Sequence, residues 1–316
     1  MTYFWRKLLR FFLTILIVSA ITFAMIDLLP GNAADVFTGP EASAETLTAI
    51  RQQMGLDAPV IVRYCRWIGR AASGNLGLSM ITQEPVWDAL EMRLPVTLEL
   101  LLFAQLIALS LAIPAALVCA KKPGGTIDRI FTTIGMASIS IPNFVMAILL
   151  VFFFVMHLGW LPATSFSPLF NGLAANVRSL LLPSLSIALV EWVILFRVLR
   201  GDLITTLAED FILMARSKGL SKAQVLFRHA LRPSSLNLLT VIGLQMGHLI
   251  GGALVVETIF ALPGIGRLLV TAIYSRDIFM IQGCALWITL GYVGINLLVD
   301  VLYGVLDPRI RLESAP

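Results

Sequence analysis

The chain has 316 residues, of which 58% are apolar and 13% are charged. An average soluble protein is about 45–50% apolar and about 25% charged, and the mean hydropathy here is +0.88. This composition excludes an ordinary cytosolic enzyme, a disordered chain and a disulfide scaffold, and it predicts an all-α polytopic membrane protein. The net charge of +4 does not point to nucleic acid, because membrane proteins carry excess Lys and Arg on their cytoplasmic side.

Six segments are apolar enough to cross a bilayer, which takes about 20 residues of helix. They cover Leu9 to Leu29, Leu100 to Ala120, Ile130 to Leu158, Leu180 to Leu199, Leu236 to Val256 and Ile278 to Val299. The first one follows a basic N-terminus, as in a signal peptide. Its length and the five later spans favour an uncleaved first helix instead.

Basic residues predict the orientation of these spans. With the N-terminus inside, the inner segments hold 15 Lys and Arg, whereas the short outer loops hold only Arg178, Arg267 and Arg276. Both termini are therefore predicted to be cytoplasmic. The expected organisation is an N-terminal transmembrane helix (1–29), a periplasmic region (30–94), a five-helix membrane domain (95–305) with a cytoplasmic loop at 200–235, and a cytoplasmic tail (306–316).

The cytoplasmic loop has the clearest local signals. A helix from Ala208 to Lys218 is predicted to end at Gly219, a residue typical of the position after a helix. Ser221 and Gln224 then have the spacing of a capping box, and Pro233 is expected to stop the second helix. These short helices carry apolar residues and need something to pack on. They could pack on a cytoplasmic partner or on the ends of the protein's own helices, and the sequence leaves both alternatives open.

Short motifs occur in order along nearly the whole chain. They include Leu29-Pro30-Gly31, Gly74-Asn75-Leu76-Gly77, Leu94-Pro95-Val96-Thr97-Leu98-Glu99, Ser140-Ile141-Pro142-Asn143-Phe144, Ala215-Arg216-Ser217-Lys218-Gly219-Leu220, Arg228-His229-Ala230-Leu231-Arg232 and Pro263-Gly264-Ile265-Gly266-Arg267. Each is weak alone. Their order and spacing resemble the permeases of binding-protein-dependent ABC importers, closest to the first permease subunit of the dipeptide/oligopeptide/nickel family. Asn75, Ser217 and Asn237 depart from that family's usual residues.

The resemblance implies a type I ABC importer permease fold and half of a translocation pathway for peptides in a bacterial inner membrane. It also implies a second homologous permease as heterodimer partner, two cytoplasmic ATPases that carry ATP and Mg²⁺, and a periplasmic or lipid-anchored binding protein. The coupling to the ATPase would involve Asp210, Ala215, Lys218, Gly219, Leu220, Arg228 and His229. A nickel or metal-chelate importer shares this scaffold. An ion-coupled secondary transporter is the alternative of another class.

The chain lacks the GxxxxGK[ST] phosphate-binding motif, catalytic signatures and metal-ligand spacings, so we expect no catalytic residue, no metal site and no ATP on this chain. Polar residues within spans are costly and are therefore functional candidates. The pathway or gate candidates are Ser140, Pro142, Glu191, Gln245, His248 and Glu257. Packing between helices is the competing interpretation for each of them.

Overall fold

The computed structural model describes the backbone of residues 2–27 and 58–306, and the side chains of 9–24, 58–247 and 249–299. The described residues form the helices α1 (Thr2–Asp27), α2 (Val60–Ala72), α3 (Val86–Ala120), α4 (Thr126–Ile139), α5 (Asn143–Leu150), α6 (Leu173–Leu207), α7 (Asp210–Ser217), α8 (Lys222–Gln224), α9 (Leu231–Ile259), α10 (Ile265–Tyr274) and α11 (Ile278–Leu306). A π-helix (Val151–His157) continues α5, another (Val225–Ala230) joins α8 to α9, and a 3₁₀ turn (Leu169–Asn171) precedes α6.

The helices match most of the predicted spans. Within the described residues, α3, α6 and the Ile278–Val299 part of α11 are each long and apolar enough to cross a membrane. Two bent pairs would bring the number to five: α4 with α5 and its π extension, bent by 100°, and Lys222–Gly247 with Leu249–Ile259, bent by 49°. The first predicted span falls in α1, which has a shorter apolar stretch over Leu9–Ala24. The all-α prediction is confirmed, and the count of six spans stays a prediction.

The described residues divide into two compact units, the larger of which contains residues 98–262 and 294–306. Its central helix is α6, because 72% of the apolar window of that helix is buried within the protein. Trp192, Phe196 and Leu199 of α6 pack in one cluster with Ala112 and Ala116 of α3. A small-residue face on α3 lets the large side chains of α6 approach its backbone closely.

Of the described residues, the smaller unit contains 2–27, 58–97 and 263–293. Asp277 organises it: Ser79 Oγ donates a hydrogen bond to Oδ2 of Asp277, and the backbone N–H of Met80 donates to the same oxygen at 3.1 Å. The other carboxylate oxygen accepts the N–H of Met280 at 3.2 Å, so Asp277 also caps the start of α11. In the motif Gly74-Asn75-Leu76-Gly77, which precedes Ser79, both glycines have positive φ.

At three prolines the helix bounds differ from those that the sequence suggests. The predicted third span is not one continuous helix, because the backbone breaks over Ser140–Pro142 and α5 begins at Asn143. The expectation that Pro233 ends the second loop helix is wrong, since α9 runs through it to Ile259. Pro233 lies in the first turn of α9 and directly after a wide π turn, where a missing N–H costs little. Pro95 likewise lies inside α3, which begins at Val86.

Candidate functional site

The segment from α7 to the π turn (residues 210–230, the α7–α8 segment) joins α6 to α9. Asp210 stands in the first turn of α7 and Arg216 in the last, as the helix dipole favours. Gly219 follows with φ +81°, its N–H donates to the carbonyl of Arg216 at 3.0 Å, and Leu220 N–H donates to the carbonyl of Ala215 at 3.4 Å. These two bonds form a Schellman motif with Gly219 at C′, as predicted.

The predicted capping box is also present. Ser221 Oγ accepts the N–H of Gln224 at 3.3 Å, and Gln224 Oε1 accepts the N–H of Ser221 at 2.9 Å. The two helices therefore meet at the short junction Gly219–Leu220. The Schellman motif and the capping box satisfy backbone groups on both sides of this junction.

The α7–α8 segment has a buried face and an exposed face. Ile212, Ala215, Val225, Leu226 and Ala230 are buried in the cluster that contains Phe196 and Leu203 of α6, so the segment does pack on the protein's own helix ends. The exposed side chains are also apolar, namely Phe211 (46% exposed), Leu213 (61%), Met214 (60%) and Phe227 (58%). Packing on the protein's own helix ends therefore accounts for one face of the segment, and the other face remains available for a cytoplasmic partner.

The remaining coupling candidates lie on the same segment. Asp210, Lys218 and Arg228 are exposed, while Leu220 and His229 are half-buried. Large exposed apolar side chains interspersed with exposed charged ones are typical of a protein–protein contact.

Three side-chain pairs attach the ends of α4 and α9 to α6, next to the α7–α8 segment. Arg200 binds both carboxylate oxygens of Asp128, Asp202 Oδ2 accepts from Asn237 Nδ2 at 3.0 Å, and Thr206 Oγ1 lies 3.1 Å from Ser234 Oγ. The last two pairs run in opposite directions along the chain, so α6 and α9 are antiparallel. Sequence reasoning missed all three, because partners 28 to 72 residues apart leave no local signal.

Two of the pathway candidates are buried within the larger unit and have unsatisfied polar atoms. Among the described residues, Glu191 Oε2 and Gln245 Nε2 find no hydrogen-bond partner, and neither does either amide atom of Gln105. These unpaired polar atoms belong to side chains on helices that pack against one another, since α9 packs along α6.

The other candidates are scattered. Ser140 and Pro142 lie at the α4–α5 break and are exposed, with Ser140 Oγ donating to the carbonyl of Met136 at 2.8 Å. Glu257 is fully buried, and its backbone carbonyl accepts the N–H of Leu262 at 2.8 Å. The side chain of His248 falls outside the described part of the structure. Glu191, Gln245 and Glu257 are thus buried, whereas Ser140 and Pro142 are exposed.

Comparison with known proteins decides the family. A family profile described as "Binding-protein-dependent transport system inner membrane component" matches residues 112–312, and its N-terminal counterpart matches residues 1–101. The chain belongs to this family. Its members are inner-membrane components, so the chain is a multi-pass membrane protein, as its composition predicts.

Relatives of the family cover the chain almost from end to end. A putative peptide transport system permease protein of Brucella abortus (strain 2308) is 40% identical over 298 residues, 94% of this chain and 95% of that protein. The glutathione transport system permease protein GsiC of Escherichia coli (strain K12) is 36% identical over 313 residues, 99% of this chain and 100% of that protein. These relatives are named as transport permeases, not enzymes.

Among solved structures, an amino acid ABC transporter with histidines aligns with 77% of this chain and 98% of its own, at 16% identity and a TM-score of 0.48. The family match and the helical architecture confirm the fold class of an ABC importer permease. The assignments of the individual coupling and pathway residues stay predictions.

Proposed function

We propose that this permease forms half of the translocation pathway of an ABC importer for peptides. A second, homologous permease would form the other half, and two cytoplasmic ATPase subunits would bind ATP and Mg²⁺. A binding protein outside the membrane would deliver the substrate. The names of the relatives, which specify peptides or glutathione, favour a peptide substrate over nickel, a metal chelate or ion-coupled secondary transport.

The exposed apolar face of the α7–α8 segment carries this proposal. Phe211, Leu213, Met214 and Phe227 expose apolar surface that water disfavours, on a segment whose own fold is already satisfied by its caps. The segment connects directly to α6 and α9, the helices that hold Glu191 and Gln245. Movement of a partner bound to this face would therefore be transmitted to α6 and α9.

The orientation expected from the basic residues fits this role. It places the α7–α8 segment, both termini and the Lys121–Arg129 region on the cytoplasmic side, where an ATPase would bind. The transport step is then conformational: the nucleotide cycle of the partner exchanges inward-open and outward-open states of the permease pair.

Uptake by the reconstituted complex tests the proposal. The chain, the second permease, the ATPases and the binding protein would be placed in proteoliposomes, and accumulation of labelled dipeptides and glutathione would be measured. We expect accumulation that requires ATP hydrolysis and the binding protein. Accumulation driven by a proton or sodium gradient without ATP would overturn the proposal.

The docking face has its own test. Phe227→Gln should weaken capture of the ATPase subunits by the permease pair in detergent. Phe170→Gln is the matched control, because Phe170 is 88% exposed and lies in a predicted outer loop. Equal capture by both variants and the unmodified protein would contradict the assignment of the docking face.

A further inference from the structure

Helix α2 has an unusual distribution of charge. Its sequence, VIVRYCRWIGRAA, contains three arginines and no acidic residue. At about 100° per residue, Arg63, Arg66 and Arg70 fall within ~60° of one another around the helix axis and form one stripe. Ile61, Cys65 and Ile68 lie roughly on the opposite flank, ~160° away.

A third side of α2 is held on α1. Tyr64 donates a hydrogen bond to the carbonyl of Leu16 at 3.0 Å, and its hydroxyl lies 2.8 Å from Ser19 Oγ. The Trp67 ring is buried, with its centroid 6.1 Å from that of Phe23, and the guanidinium of Arg63 lies 5.6 Å above the Phe23 ring. The aromatic side of α2 is thus packed on the C-terminal half of an apolar helix.

The two flanks remain open. Ile61 is 76% exposed and Cys65 is exposed on the apolar flank, while Arg66 and Arg70 are exposed on the basic flank. Within the part of the chain that the structure describes, neither Arg66 nor Arg70 forms an ion pair. A helix with one apolar and one basic flank is suited to a boundary between hydrocarbon and charged headgroups, with its long axis in the membrane plane.

We propose that α2 lies in the membrane interface beside α1, where Arg66 and Arg70 bind the phosphates of anionic phospholipid headgroups. Guanidinium groups match phosphate oxygens with paired hydrogen bonds, and each basic residue near an anionic surface adds to the attraction. Ile61, Cys65 and Ile68 face the acyl chains.

The native cysteines provide a probe of the site. Cys65 is exposed on α2, whereas Cys119 and Cys284 are buried, so a thiol-reactive fluorophore on the folded, full-length permease will mark α2 selectively. The labelled protein would be placed in nanodiscs that carry nitroxide phospholipids. We expect quenching by nitroxides just below the headgroup and little quenching by aqueous iodide. Strong iodide quenching without lipid quenching would overturn the proposal and would indicate a water-exposed helix.

The phosphate contact is tested by lipid titration. Phosphatidylglycerol would be added to phosphatidylcholine nanodiscs while the emission of the Cys65 label is followed. Arg66→Gln with Arg70→Gln should shift the half-point to higher phosphatidylglycerol, on the order of fivefold per arginine. Arg66→Lys with Arg70→Lys should keep most of the response, because the charge remains.

Lys121→Gln with Lys122→Gln is the matched control, since it removes the same charge from another loop, 121–125. An equal shift in this control and in the arginine variant would overturn the proposal, because the effect would then come from net charge alone. A label that responds to the added binding protein but not to phosphatidylglycerol would also overturn it, in favour of a protein partner on α2.

Discussion

Arg200 grips Asp128 with two nitrogens: Nε donates to Oδ1 at 2.5 Å and Nη2 donates to Oδ2 at 2.6 Å. Asp128 is nearly fully buried, and its Oδ2 also accepts the N–H of Gly124 at 2.8 Å. The pair joins the first turn of α4 to α6, about two turns before α6 ends at Leu207. A partly buried pair of this geometry holds the two helices in register as long as both partners are present.

Breaking this pair should therefore destabilise the protein. Asp128→Asn leaves the Arg200 charge without its partner, and we expect a loss of about 2–3 kcal/mol, because Arg200 is still partly exposed to water. Thermal unfolding in detergent would measure it. Asp202→Asn is the control, since its bond to Asn237 is exposed and should contribute less than about 1 kcal/mol. Equal losses in the two variants would contradict the prediction.

Gly219→Val separates the docking role of the α7–α8 segment from its local fold. Gly219 has φ +81°, so valine costs roughly 1–2 kcal/mol, but no described atom lies within 4 Å of its added Cβ. We expect near-normal abundance in the membrane but weaker assembly with the ATPase and hydrolysis uncoupled from transport.

Gly74→Val is its matched control, with φ +83° and equally open surroundings but on a predicted outer turn. Gly74→Val should cause the same backbone strain but leave ATP hydrolysis coupled to transport. Normal assembly, coupling and transport in Gly219→Val at normal abundance would rule out docking through this glycine.

Gly283 permits a close approach within the smaller unit. A Cβ at this position would overlap Val86 Cγ1, and Val86 is fully buried at the start of α3. Gly283→Ala should therefore destabilise by about 1–3 kcal/mol, although alanine is the better helix former. Adding Val86→Ala should recover part of this loss, which a double-mutant cycle of unfolding would measure.

Gly294→Ala is the control in the same helix, because nothing described lies within 4 Å of its added Cβ. It should be neutral or stabilising. A comparable loss there would mean that the overlap with Val86 is not the cause.

Cysteine labelling would test the predicted orientation. Ser73 and Ser221 are both exposed, and they lie after α2 and at the start of α8. In a Cys65→Ser background, an impermeant reagent added to intact spheroplasts should label Ser73→Cys but not Ser221→Cys. Both should react after lysis. Labelling of Ser221→Cys in intact spheroplasts would contradict the predicted topology.

The local chemistry of the α7–α8 segment was predictable in detail. The Schellman motif at Gly219 and the capping box of Ser221 with Gln224 depend on residues within five positions of one another. Such motifs satisfy backbone groups at helix ends with the nearest side chains, so their sequence spacing suffices to identify them. Which face of the segment would be buried was not predictable, because that depends on α3 and α6.

The effects of the prolines on the helices, in contrast, could not be predicted from local sequence. The backbone turns by 100° at Pro142, whereas α9 continues through Pro233 and α6 through Pro183. Each proline removes one N–H, and the surrounding turns and neighbouring helices decide whether the freed carbonyl is satisfied in place or the helix breaks. Because those neighbours are not evident from a single sequence, the effect of each proline could not be predicted.

The apolar composition and its runs by themselves determined that this chain is a helical membrane protein, because backbone groups in hydrocarbon must bond within their own helix. Local spacing determined the caps of the α7–α8 segment. Only the tertiary structure decided that Asp128 meets Arg200, that Thr206 meets Ser234, and that α2 lies on α1 through Tyr64 and Trp67. These contacts join residues far apart in the chain, and they depend on helix packing in three dimensions, which the pattern along one helix does not specify.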